Sequence, residues 1–232
     1  MIQLLQLDSI ECKINFIYFD RKFLIELTLK VNHTDTFSPL LVQELKESAG
    51  LTDEEIKLYM SLLVSKTISK KDHLLMPGDI CNNIAYITKG CLRRYIIDNH
   101  AKEVILNFAL EDHWVGDLES FISQKPTIYY VQALEDCETL LLSRKNFLYA
   151  CEELPGFKKF HDKKIQRNHY YTLKRLSFAK SATPEEKYIS LMKEQPQLFQ
   201  RIPLHYIASY MGIEPESLSR LRKRIVIKPH TS

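Results

Sequence analysis

The stretch Ile202–Ile225, IPLHYIASYMGIEPESLSRLRKRI, decides how the rest of the chain is read. Leu204, Ile207, Ala208 and Met211 recur at helical spacing, so a first short helix buries one stripe. Gly212 follows at once, where a sharp turn needs a residue that tolerates positive φ. Pro215 then opens a second helix, with Glu214 and Glu216 at the positive end of its dipole. Leu218, Leu221 and Ile225 form its inner face. Ser217, Ser219, Arg220, Arg222, Lys223 and Arg224 are left facing outward. A small residue at 208, glycine at 212 and apolar residues at 218 and 221 make the helix-turn-helix arrangement. On these residues alone, a helix hairpin with a solvated basic face is the alternative.

Working outward, charge separates the two ends of the chain. The net charge is only +3 over 232 residues. From Cys151 onward, however, 16 Lys and Arg face 8 Asp and Glu. An acidic sensing or interaction domain followed by a basic nucleic-acid domain fits this asymmetry. The five cysteines (Cys12, Cys81, Cys91, Cys137, Cys151) form no C-x-x-C pair and have no histidine at zinc spacing. They read as reduced cytosolic thiols, and neither a metal nor a cofactor is expected. No uncharged apolar run approaches the roughly 20 residues that cross a bilayer. Nor does a basic region lead into an apolar one at the N-terminus, so a cytoplasmic protein without membrane contact is expected.

Upstream, Thr183-Pro184-Glu185-Glu186 is a capped helix start, with Tyr188, Leu191 and Met192 as its buried face. Before it a long helix is expected from Leu154 to about Ala179. Phe157, His161, Ile165, Thr172, Leu176 and Ala179 lie on one stripe, with Asn168 or His169 at its centre. Such a seam suits a two-helix contact between subunits; the alternative is a helix packed wholly on its own domain. Between Lys66 and Ser143 the period falls to two. The runs HLLM, IAYIT, CLRRYII, EVILNFAL, YYVQAL and ETLLLS are separated by turns that include Gly78, Gly90 and Gly116. Many short strands at this spacing indicate a sandwich or jelly roll. Two amphipathic helices precede them. The first has Leu40, Leu41 and Leu45 inward. The second opens with Thr52-x-x-Glu55 and buries Ile56, Tyr59, Met60 and Leu63. Phe23 to Val31 alternates like a half-buried strand.

The class is therefore α+β, in four parts: an extension (1–36), a β roll (37–152), a linking helix (153–181) and a helix-turn-helix domain (182–232). This order, with LLMPGDICNNIAYITKGCLRRYI, WVGDLESF, VQALEDCETLLLS and the opening stretch, resembles the Crp/Fnr family of bacterial transcription regulators. TPEEKYISLMKEQP followed by ASYMGIEPESLSR is most similar to the branch found in Bacteroidetes-type bacteria. The resemblance implies a cyclic-nucleotide-binding-like roll and a homodimer joined through the long helix. It also implies a recognition helix in the major groove of double-stranded DNA, and RNA polymerase as a partner. Glu216, Ser217 and Arg220 fall on the positions that face bases and phosphates. Arg220 suits a guanine edge, Glu216 a cytosine N4 and Ser217 and Ser219 phosphates, while Arg222, Lys223 and Arg224 add salt-dependent affinity. Pro215 stands where better-known members often carry arginine, so their DNA sequence does not transfer.

In cyclic-nucleotide-binding members a Gly-Glu-Leu element and an Arg-Ser pair hold the cyclic phosphate. Here Gly116-Asp117-Leu118 nearly matches the first, but Thr127-Ile128 replaces the second. Without the arginine a buried phosphate loses its bidentate partner, so cAMP binding is not expected. Another effector would sit near Trp114, Asp117, Leu118, Thr127, Tyr129 and Tyr130, where packing is the competing role. No nucleophile elbow, P-loop or HExxH motif assigns catalysis. A signalling module that acts through protein contacts is the alternative to a DNA-binding regulator.

Overall fold

The structure is a computed structural model that describes residues 38–227. The 23–31 strand reading lies outside the described residues. Two helices, α1 (Pro39–Glu47) and α2 (Asp53–Ser61), lead into eight strands. The strands are β1 (Leu63–Ile68), β2 (His73–Leu75), β3 (Asn83–Lys89), β4 (Leu92–Ile97), β5 (Glu103–Ala109), β6 (Trp114–Val115), β7 (Tyr130–Ala133) and β8 (Cys137–Ser143). A six-residue helix, α3 (Leu118–Ser123), lies between β6 and β7. After the strands come α4 (Arg144–Glu153), the long α5 (Pro155–Ser181), α6 (Pro184–Glu194), α7 (Leu198–Arg201), α8 (Leu204–Met211) and α9 (Pro215–Ile227).

The strands form two four-stranded antiparallel sheets, ordered β1-β8-β3-β6 and β2-β7-β4-β5. Sequence neighbours such as β7 and β8 lie in different sheets, so the chain rolls rather than meanders. Tyr86, Ile87, Leu92, Val131 and Leu142 are among the residues that fill the space between them, with Leu45, Tyr59 and Phe147 closing one end. Fully burying such side chains stabilises by roughly 1.5–3 kcal/mol each. A second apolar cluster lies on the outer face of the β4–β5 sheet. It joins Tyr95, Ile105 and Phe108 to Tyr188, Leu198, Ile207, Met211 and Leu218 of the C-terminal helices.

Both expected capping boxes form, Thr52 with Glu55 and Thr183 with Glu186. Two inward assignments do not hold, and a third residue packs on the core from a different element. Leu40 is 55% exposed because Leu41 and Leu45 take the inner face of α1. Leu63 belongs to β1, since α2 ends at Ser61. Met192 is 43% exposed while Tyr188 and Leu191 fill the inner stripe of α6. The seam on α5 divides. Phe157 is buried, and His161 meets Phe147 edge-on at 4.6 Å, so the first half packs on the chain's own roll. Farther along, Leu173 and Leu176 are 50% and 52% exposed.

Candidate functional site

The turn between α8 and α9 is built as the sequence predicts. Gly212 has φ 70°, its N–H bonds Ser209 O, and the Ile213 N–H bonds Ala208 O. This pair of bonds satisfies the last carbonyls of α8 and needs the left-handed region glycine enters freely. Ala208 is wholly buried against the second helix. At the start of α9 the Glu214 carbonyl accepts from Ser217 and Leu218 N–H at 3.0 and 3.1 Å. Leu218 and Leu221 face the core.

Five of the seven expected contact residues are exposed, Glu216, Ser219, Arg220 and Lys223 along one side of α9 and Arg224 beside them. Ser217 and Arg222 are half-buried. Arg220 Nη2 donates to Ser217 Oγ at 3.1 Å, which lays the guanidinium back along the helix. Arg224 is placed differently: its Nη2 bonds Glu185 Oε2 on α6 at 2.9 Å, tying the two helices together. The basic run at its spacing cannot show that an acidic partner waits on another helix.

In the roll, the six expected effector residues separate into distinct places. Asp117 and Thr127, 5% and 3% exposed, face each other, and Thr127 Oγ1 donates to Asp117 Oδ2 at 2.6 Å. Asp117 Oδ1 accepts from Glu119 N–H and so caps α3. Ser120, on the same helix, accepts from Cys81 N–H and donates to Lys125 O. Leu118 is 40% exposed beside them. Trp114 instead meets Tyr86 edge-on across the β3–β6 pair, at 5.3 Å. Tyr130 lies on the outer face of its sheet and stacks on Tyr95 at 4.8 Å. Tyr129, just before β7, lies near Arg94 instead. There the Arg94 guanidinium lies 5.1 Å from its ring centroid and Arg94 Nη1 donates to Gly116 O at 3.4 Å. Sequence reasoning passed over Arg94; the signal was Arg93-Arg94 inside a strand, where alternation sends the two side chains to opposite faces.

The buried thiols have packing roles. Burial pushes Cys91 up to about 12 and Cys137 up to about 11, far from the thiolate form at neutral pH. Among the described residues no helix is long and apolar enough to cross a membrane.

Comparison with known proteins completes the picture. Residues 65–153 match the cyclic nucleotide-binding domain family. The chain is 27% identical over 96 residues to the cAMP-activated global transcriptional regulator CRP of Salmonella typhimurium, and equally to that of Klebsiella aerogenes. That match covers 41% of this chain and 46% of each relative, so it spans less than half of their length. Among solved structures, FixK2 from Bradyrhizobium japonicum superimposes with a TM-score of 0.62 at 13% identity, over 73% of this chain and 89% of that one. The c-di-GMP-responsive regulator CLP of Xanthomonas campestris gives 0.61 at 14% identity, over 76% and 92%. These likenesses establish the fold. Residues 65–153 of the roll are similar in sequence to the cyclic nucleotide-binding domain family, and the two sheets have the matching fold. Over the described residues the chain has the fold of FixK2 and CLP, with roll, long helix and helix-turn-helix in that order.

Proposed function

We propose that the protein is a cytoplasmic, homodimeric, sequence-specific DNA-binding transcription regulator whose helix α9 enters the major groove. The observation that carries this reading is the exposed row Glu216, Ser219, Arg220 and Lys223. It stands on a helix whose opposite face is fixed by Leu218 and Leu221. A recognition helix needs this division between rigid anchor and free polar edge. Arg220 would give bidentate contact to guanine, Glu216 would accept from cytosine, and Lys223 would neutralise a phosphate. The exposed Leu173 and Leu176 supply the dimer seam on the second half of α5.

The residues of the roll do not fit a cyclic phosphate. Beside α3 the buried Asp117 carboxylate is bonded to Thr127, so a phosphate placed there would meet a carboxylate where an arginine is needed. On this reading cAMP is not an effector of the protein. The DNA reading is tested by gel retardation on duplexes enriched from a random library. Retardation by wild-type protein that falls by about 1–3 kcal/mol of binding free energy in Arg220→Ala is expected. Enrichment of no duplex, with no salt-sensitive binding, would refute it.

A further inference from the structure

The outer face of the β4–β5 sheet carries the helix-turn-helix unit of the same chain, and the contact between them is directional. β5 is the edge strand of its sheet. Ser209 on α8 closes that edge: its hydroxyl accepts from Ile105 N–H at 3.1 Å and donates to Glu103 O at 2.8 Å. An exposed edge ordinarily leaves such groups to water or to another strand. Arg201, at the end of α7, forks onto both oxygens of Glu111 at 2.8 Å and also reaches Glu135. Arg93, 2% exposed, lies between the rings of Tyr95 on the roll and Tyr206 on α8, 4.1 Å from each centroid. A bidentate ion pair to Glu103 fixes its orientation. Glu216, Ser219, Arg220 and Lys223 take no part in these contacts and remain exposed. The docking fixes where α9 sits and leaves its outward edge clear.

Apart from this docking, the unit is joined to α5 through a short extended joint. Ala182 and Thr183 have ψ of 144° and 158° between two helices. A unit held only by that joint could swing. We propose that Ser209 and Arg201 are positioning residues that fix the half-site spacing the dimer accepts, by bolting each recognition helix to its own roll. This rests on the DNA-binding reading above. Two binding units held at a set separation engage two half-sites together only when the DNA matches that separation, whereas hinged units tolerate mismatch.

The experiment uses the full-length protein and a duplex enriched by it from a random library. Duplexes carrying two extra base pairs between the half-sites and an isolated half-site are measured alongside. Wild-type protein is expected to lose at least about tenfold in affinity on the insertion. Ser209→Ala and Arg201→Gln are expected to bind the isolated half-site as wild type does, within about threefold, and to lose less than about threefold on the insertion. Amide exchange at Ile105 should also accelerate by about tenfold or more in Ser209→Ala, a readout that needs no DNA. Variants that discriminate spacing as sharply as wild type, or an Ile105 amide that exchanges unchanged, would overturn the proposal and leave the DNA-binding reading standing. Failure of the wild-type protein to enrich any duplex would remove both.

Discussion

At Arg201 a single guanidinium joins two strand-end carboxylates of the roll to the helix that precedes the helix-turn-helix. Its hydrogen bonds hold the Glu111 carboxyl down at about 2, from an ordinary value of 4.5, against the opposing effect of burial. The sign follows from linkage. A carboxylate whose folded value is depressed contributes stability above its unfolded value, and that contribution is lost as pH falls through the folded one. The docking should therefore weaken between about pH 4.5 and about pH 2. Glu111 is 35% exposed, so screening by solvent makes the loss modest. Glu135, which shares the guanidinium, and the Gly90 N–H bonded to Glu111 are the other groups that face it. The radius of gyration from small-angle scattering should rise over this window in wild type and be larger and pH-independent in Arg201→Gln. A flat wild-type profile would show that the pair does not hold the docking. Gly212 acts through the backbone instead. Nothing lies within 4 Å of a methyl group built there, so Gly212→Ala tests φ 70° alone. A loss of about 1–2 kcal/mol in denaturant titration is expected, and no loss would show that the turn tolerates a side chain.

Among the elements, α5 has two unlike halves. Its first turns complete the roll core through Phe157, and its later turns expose Leu173 and Leu176. Leu176→Asp should shift sedimentation equilibrium toward monomer without lowering the melting temperature of the roll; an unchanged dimer would place the subunit contact elsewhere. The helices near this seam show what sequence reveals. Capping boxes and Gly212 are local chemistry, so Thr52, Thr183 and the α8–α9 turn were legible. α4 leaves no periodic pattern, although Ser143 accepts from Asn146 N–H as its N-cap, because its apolar residues run consecutively from Phe147 to Cys151 instead of recurring at helical spacing. The seam on α5 was read as one surface because periodicity cannot show that Phe147 lies against its first half. The Arg224–Glu185 ion pair is likewise invisible to local pattern, because its partners lie far apart in sequence. The Ser209 bridge to β5 leaves no local pattern at all.

At the scale of the molecule, β4 separates two environments. Arg94 faces Gly116 and Tyr129 on one side of the sheet, and Arg93 faces Tyr206 on the other. A ligand that moved this strand would move the docked helix-turn-helix with it. With Asp117 and Thr127 bonded to each other, millimolar cAMP should leave the melting temperature unchanged. A saturable rise would show that the roll admits a cyclic phosphate. Reading of DNA by α9 from a dimer is tested most directly by footprinting on a duplex enriched by the protein. Two protected half-sites about 34 Å apart, on one face of the duplex, are expected, both lost in Arg220→Ala. A single unpaired half-site, or protection that survives in Arg220→Ala, would contradict it.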